Sequence, residues 1–407
     1  MKKAIILSLV CLLIFSLAGC GQPETESSFD INAEFETIVQ AADGQTVSFY
    51  GWGGNSELND WIDNVLARTV KEEYNITLNR VPMNIDEVLA KLAAEKQAGK
   101  KDGSIDMIWI NGENFYSAKA NGLLFGPFAD KLPNYNLYVD SGKVGNYYDS
   151  GFPIEGYEAP YGKAQFVFTA DLAVTPDTPK NADEFMEFAK DNQGKVTYPA
   201  LPDFTGSAFV RTIVHDLIGY DELMNAGADK EKVRQILQPV IAYLTELNPY
   251  LWNEGKTFPA TLGQLDNMFA DGELCLTMNY DPYAVILNME NGVYTDSCGS
   301  FIFENGTVGN TNFIAIAANS PNKAAAVAVI NEILTPQMQA SKYQAVKLLP
   351  AIDNETLSDE EKALFEAVDL GEGALDQSYL LARQVPELPA DLWPIIEEIW
   401  LEEVVGK

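Results

Sequence analysis

Asp203-Phe204-Thr205-Gly206-Ser207 is the segment whose residue types come nearest to a site. It opens a helical pattern running through Ile218, so its first backbone N–H groups lack intrahelical acceptors and, with the helix dipole, attract an anionic group. Gly206 allows close approach to the backbone, and the hydroxyls of Thr205 and Ser207 add donors. Plain helix capping is an equal reading of those hydroxyls. Asp203 opposes an anion unless it meets a cationic part of the same ligand. Glu113, Glu57 and Asp281 are further acids at loop positions, where a carboxylate either pairs with an ammonium or amidinium charge or faces solvent. Trp52, Trp252 and Tyr280 offer flat faces to a ring or a cation. Core packing is the alternative for each and the preferred one for Trp252, while Trp109, inside an apolar run, is assigned to the core outright. Asn55, Asn111, Asn114 and Asn279 can donate and accept together, and are also common turn residues.

Other chemistries find less support. His215 is the only histidine and lies within a helical pattern, so a zinc site of histidines and cysteines has no basis; we read it as a packing or surface residue paired with Arg211 one turn earlier. No G-x-S-x-G elbow is present for a serine hydrolase. Tyr147-Tyr148 is a tyrosine pair of the kind that binds ferric ion, but it precedes the presumed crossing between lobes. The rival from another class is a hydrolase using Glu113 and Asp281 as acid and base, a pair with no local motif behind it. No metal or cofactor is expected.

These residues need elements to position them. Val47–Tyr50 reads as a strand followed by the tight loop Gly51-Trp52-Gly53-Gly54-Asn55, with Ser56 as N-cap of a helix bearing Leu58, Trp61, Ile62, Val65 and Leu66 on one face. Ile76–Val81 and Ile105–Ile110 repeat the strand pattern, each followed by a polar loop and a helix. Such alternation implies a parallel α/β sheet with ligands at the carboxyl ends of its strands. Tyr161–Leu172 is long enough to cross into a second unit, where Lys195–Tyr198 and Leu274–Asn279 read as strands. Gly309–Ala317 then returns the chain to the first unit.

At the amino end, Lys2 and Lys3 precede an apolar run from Ala4 to Phe15 that closes on Leu17-Ala18-Gly19-Cys20. The run is too short for a membrane span and reads as a secretion signal. Its closing tetrapeptide resembles the lipobox of bacterial lipoproteins, which implies cleavage after Gly19 and lipid on Cys20. The expected organisation is a signal at 1–19, a lipidated tether at 20–28, a first lobe from 29–166 and 309–345, a second lobe at 167–308, and a C-terminal helical segment, 346–407, of unassigned lobe. Removing the signal takes away two lysines and no acids, so the mature chain is more acidic than the full chain at −32. Nucleic acid and anionic headgroups are therefore excluded as partners. Export favours a bridge between Cys275 and Cys298, with two buried reduced thiols as the alternative.

Four stretches carry a family resemblance: Phe49-Tyr50-Gly51-Trp52-Gly53-Gly54, Ile108 to Phe115, Asp203 to Val210, and Phe269 to Asp281. On them the chain resembles a type II solute-binding protein of an ABC importer, in the branch near thiamine, iron and spermidine binders. The resemblance implies two α/β lobes with parallel-rich sheets joined by two or three strands, and a periplasmic-binding-protein-like cleft holding a small solute. Delivery to a permease and its ATPase follows, from a monomer lipid-anchored on the outer face of the cytoplasmic membrane. Ligand contacts are expected from Trp52, Asn55, Asn111, Glu113, Asn114, Asp203, Thr205, Gly206, Ser207, Trp252, Tyr280 and Asp281. The helix start at Thr205–Ser207, which attracts negative charge, and the acids Glu113, Asp203 and Asp281, which attract positive charge, point to a zwitterionic or cationic solute, thiamine-like or phosphate-bearing; an oligosaccharide is the alternative.

Overall fold

The structure, a computed structural model, describes residues 29–140, 142–224 and 226–405, so the leader, Cys20 and the tether lie outside the described residues. Its strands are β1 Thr46–Gly51, β2 Thr77–Pro82, β3 Met107–Ile110, β4 Leu124–Phe125, β5 Tyr148–Asp149, β6 Phe152–Pro153, β7 Glu158–Gln165, β8 Val167–Asp171, β9 Leu276–Asn279, β10 Cys298–Phe301, β11 Thr307–Ala317 and β12 Gln384–Pro386. One sheet runs β12-β11-β3-β1-β2, with β4 and β7 also paired to β11. Within it β1 is parallel to both β2 and β3, as the strand–helix alternation requires, while β11 runs antiparallel to β3 and β7.

Alternating side chains on these strands fill two separate cores. Phe49, Met107, Ile314 and Ile316 join the larger cluster, whereas Tyr50, Ile108, Ile110, Phe313 and Ala315 join a smaller one on the opposite face of the sheet. The helix after β1 starts at Ser56 with Asn55 as its N-cap, the Asn55 side chain accepting from Leu58 N at 2.7 Å. A π-turn at Trp61–Leu66 follows, burying Trp61, Ile62 and Leu66.

The second sheet, β10-β8-β9, is antiparallel throughout, which corrects the expectation of a parallel-rich sheet in each lobe. Lys195–Tyr198 makes no ladder either. Its carbonyls take isolated hydrogen bonds, Val196 O from Trp252 N at 2.8 Å and Lys195 O from Cys275 N at 2.9 Å and from the Cys275 thiol at 3.4 Å. The chain passes between sheets at Phe166, between β7 and β8, and again between β10 and β11. It passes a third time after β12: β12 pairs with β11, while helix Trp393–Glu403 packs on helices Lys230–Ile236 and Gln238–Leu247 beside the second sheet. The C-terminal stretch, whose lobe the sequence left unassigned, thus contacts both halves.

Cys275 and Cys298 are free thiols. Cys298 pairs with Asp171 on one side of β8, and Leu276 pairs with Ala170 on the other, so the two cysteines flank β8 about two strand spacings, or roughly 10 Å, apart. A disulfide needs Cα atoms within about 7 Å. Burial pushes the Cys275 thiol up to about 11, which makes it a poor nucleophile at neutral pH. Denaturing alkylation without reductant, followed by peptide mapping, is expected to find both residues alkylated; recovery of the crosslinked peptide pair would contradict this register.

Candidate ligand-binding site

A cavity of about 300 Å³ opens between the two halves of the molecule. Trp52 and Asn55 on the loop after β1, Leu58 on helix Ser56–Asp60 and Trp109 on β3 line it from the first half, Tyr280, Asp281 and Pro282 from the loop after β9. Tyr161, Lys163 and Asn312, on β7 and β11, form its floor, and residues 346–349 close one side. Trp52 is 56 % exposed, unusual for so large an apolar side chain. Its indole folds over Gly54, where a Cβ atom would lie 2.0 Å from the ring, so only glycine permits this placement of the aromatic face.

Asp281 is open to the cavity. Its carboxylate accepts from Tyr283 N at 3.0 Å, and the protein crowded around it pushes the carboxyl above its ordinary value. Tyr280 is buried, with its hydroxyl donating to Glu387 at 2.6 Å. Beneath the floor, Lys163 is buried against Asp353 at 3.1 Å, so the cation is already neutralised by a protein carboxylate. Burial lowers the Lys163 pKa, while Asp353, drawn by Lys163 and Lys143, sits below the usual carboxylate range despite its own burial.

Of the residues singled out in the sequence, Trp52, Asn55, Tyr280 and Asp281 meet at this cavity. The Thr205–Ser207 helix start does not supply an anion site. Asp203 is its N-cap, accepting from Thr205 N at 2.9 Å and Gly206 N at 3.1 Å, and its second oxygen accepts from Leu262 N at 3.0 Å. Those donors are therefore spent. Gly206 is required for packing instead: a Cβ there would lie 2.0 Å from the Pro199 carbonyl oxygen. Ser207 is buried and accepts from Arg211.

The Asn111 loop is likewise self-satisfied. Asn111 donates to Asn312 at 2.8 Å and accepts from Phe313 N at 3.1 Å, and Gly112 N donates to the buried carboxylate of Asp149, which burial pushes up to about 7. Glu113 is exposed and Asn114 half-buried on the helix that follows, and neither lines the cavity. Trp252 packs half-buried on the core with its indole donating to Glu273 at 2.7 Å, away from the cavity. His215 is not paired with Arg211: its ring stacks on Tyr220 and bonds the Pro386 carbonyl at 2.9 Å, while Arg211 pairs with Glu387.

Trp109 is the residue that sequence reasoning misplaced. Its neighbours Ile108 and Ile110 belong to one face of β3, and the two-residue period sends Trp109 to the other, where it lines the cavity. Alternation alone does not reveal this, because Met107 on the same face is buried in the larger core; Trp109 lies nearer the carboxyl end of β3. Tyr161, Lys163 and Asn312 carried no signal either, because their role comes from crossing strands that meet only in the fold.

Among the described residues, no group of three or more His, Cys, Asp or Glu side chains is placed to hold a metal ion, and no helix is long and apolar enough to cross a membrane. Residues 66–367 match the family model described as bacterial extracellular solute-binding protein. Protein YnjB of Escherichia coli strain K12 is 36% identical over 312 residues, covering 76% of this chain and 80% of that protein. An ABC transporter structure from Clostridium perfringens covers 88% of this chain and 99% of its own at 18% identity, with a TM-score of 0.61. The spermidine/putrescine substrate-binding protein PotD of Streptococcus pneumoniae gives 0.61 at 16% identity, covering 88% and 98%. A Rhizobium etli sugar transporter in an open conformation gives 0.61 at 15%, covering 87% and 92%. These likenesses show the two-lobed periplasmic-binding-protein-like fold. On the family match and the relative together, this chain belongs to the bacterial extracellular solute-binding proteins, which serve ABC transporters as binding components and not as enzymes.

Proposed function

We propose that this chain captures a small cationic or zwitterionic solute between Trp52 and Asp281 and delivers it to an ABC permease. The observation that carries the charge is Asp281: it is the carboxylate on the wall of a cavity otherwise lined by aromatic and neutral side chains, apart from Lys163, which is held by Asp353, and Lys347, whose ammonium donates to the Asp369 carbonyl at 2.8 Å. A cation gains there both from the carboxylate and from the faces of Trp52 and Tyr280. Groups from both halves reach one solute only when the cleft closes, which links capture to a shape a permease can read. Thermal-shift and tryptophan-fluorescence titrations test this. A cationic solute is expected to raise the melting temperature of the wild type, and Asp281→Asn to weaken its binding by about 1–3 kcal/mol. Stabilisation by neutral oligosaccharides alone would overturn the charge assignment and favour a sugar.

The lipid proposed for Cys20 supplies two acyl chains, enough for stable attachment to the outer face of the cytoplasmic membrane. Cys20→Ser is expected to release a folded, solute-binding protein into the soluble fraction. Sedimentation of that variant with washed membranes would contradict a lipid anchor.

A further inference from the structure

The two halves of the molecule also meet beside the cavity, away from its floor. Tyr283, two residues past Asp281, and Tyr343, on helix Pro336–Val346, are both buried, and their hydroxyls share a hydrogen bond at 2.8 Å. Their rings meet edge-on with centroids 5.6 Å apart. Tyr343 belongs to the first half, because its helix packs on helix Ser56–Asp60 and the π-turn behind it. Tyr283 belongs to the second, because it opens helix Ala284–Glu290, which packs on β10. Neither tyrosine lines the cavity, yet each is tied to a residue that does. Tyr283 N donates to the Asp281 carboxylate at 3.0 Å, and the helix carrying Tyr343 runs directly into residues 346–349, which close the cavity's side. The crossing strands β7 and β11 stay at the floor, so walls that part by bending there pull this pair of hydroxyls apart.

We infer that Tyr283 and Tyr343 are positioning residues that latch the two halves together, holding the cleft shut ahead of the solute and setting affinity without touching it. The inference rests on the proposed capture of a solute by closure of this cleft. Burial pushes both phenols upward, so both hydroxyls keep their protons and the bond persists across the neutral range. In an open cleft each hydroxyl exchanges its partner for water, so the latch contributes only the net difference, about 2–10-fold in the ratio of closed to open molecules. A solute that needs the closed form binds with an apparent affinity that follows this ratio. The Tyr343 hydroxyl also accepts from the Gln377 backbone N–H, so Tyr283→Phe leaves it one partner and is the milder removal.

Two readings test the latch. Small-angle scattering of protein stripped of solute in urea and refolded reports how far apart the halves stand, and tryptophan fluorescence follows titration with the small-molecule fraction released by denaturing the purified wild type. Tyr283→Phe and Tyr343→Phe are each expected to enlarge the solute-free radius of gyration and to need about 2–10-fold more of that fraction for half-saturation. The double variant should go little further than either single one, because the second substitution has no shared bond left to remove. Variants that match the wild type in either reading, even if they melt lower, would make the pair a packing contact and overturn the latch, as would single effects that simply add in the double variant. Such a result beside a wild type that still binds the fraction would leave solute capture standing. If neither that fraction nor a concentrated metabolite extract shifts the fluorescence or the melting temperature of the wild type, both fall.

Discussion

Glu387→Ala is expected to lower the free energy of unfolding by about 3–5 kcal/mol, because it strands a buried guanidinium. Arg211, fully buried on helix Phe204–Leu217, donates through Nε at 2.6 Å and through its second terminal nitrogen at 3.0 Å to Glu387, which follows β12. Trp393 covers the guanidinium with its ring centroid 4.1 Å away, and Phe204 approaches at 5.5 Å. Tyr280, a wall of the cavity, donates to the same carboxylate. The pair thus ties the third passage between the sheets to the second half and to the binding wall at once. Urea denaturation at neutral pH measures the loss; the double variant Arg211→Met, Glu387→Leu should recover part of it by removing both charges together. A loss below about 1 kcal/mol for the single variant would mean the guanidinium finds water, as an exposed pair would.

Lys342→Met should do the opposite, stabilising the protein by about 1–4 kcal/mol below pH 7. Lys342 is fully buried on helix Pro336–Val346, and burial alone pulls its pKa down to about 7. Because the folded-state value lies below the unfolded one, the folded protein binds fewer protons between about pH 7 and the ordinary lysine value. Stability from this group therefore rises as pH increases through that window, and its penalty is fullest below it. The gain on substitution should shrink accordingly between pH 6 and pH 9 in paired denaturation curves. An unchanged gain across that range would show that packing, not charge, sets the effect.

Much of the first sheet is legible because local pattern and final position agree. Val47–Tyr50 and Ile105–Ile110 are short apolar runs set between turn residues and helices, and they become β1 and β3. Strand β11 was readable as an extended segment but not as a sheet centre, since its antiparallel partners β3 and β7 and its parallel partner β12 are remote in sequence. The site divides the same way. Trp52 and Asp281 stand in loops at strand ends, where ligand contacts are expected. Thr205–Ser207 misled because an unfilled helix start and one filled by its own Asp203 look alike until the carboxylate's position is known. Trp109 was lost by reading an apolar run as wholly buried when Trp109, alone in it, is only half-buried.

The most direct measurement is to purify the protein without refolding, denature it, and identify by mass spectrometry what is released. A near-stoichiometric small solute carrying positive charge is expected, one that rebinds unaltered, raises the melting temperature of the wild type, and binds Trp52→Ala and Asp281→Asn more weakly. Equal affinity of that solute for both variants and the wild type, or its chemical conversion during incubation with the protein, would contradict solute capture at this cleft.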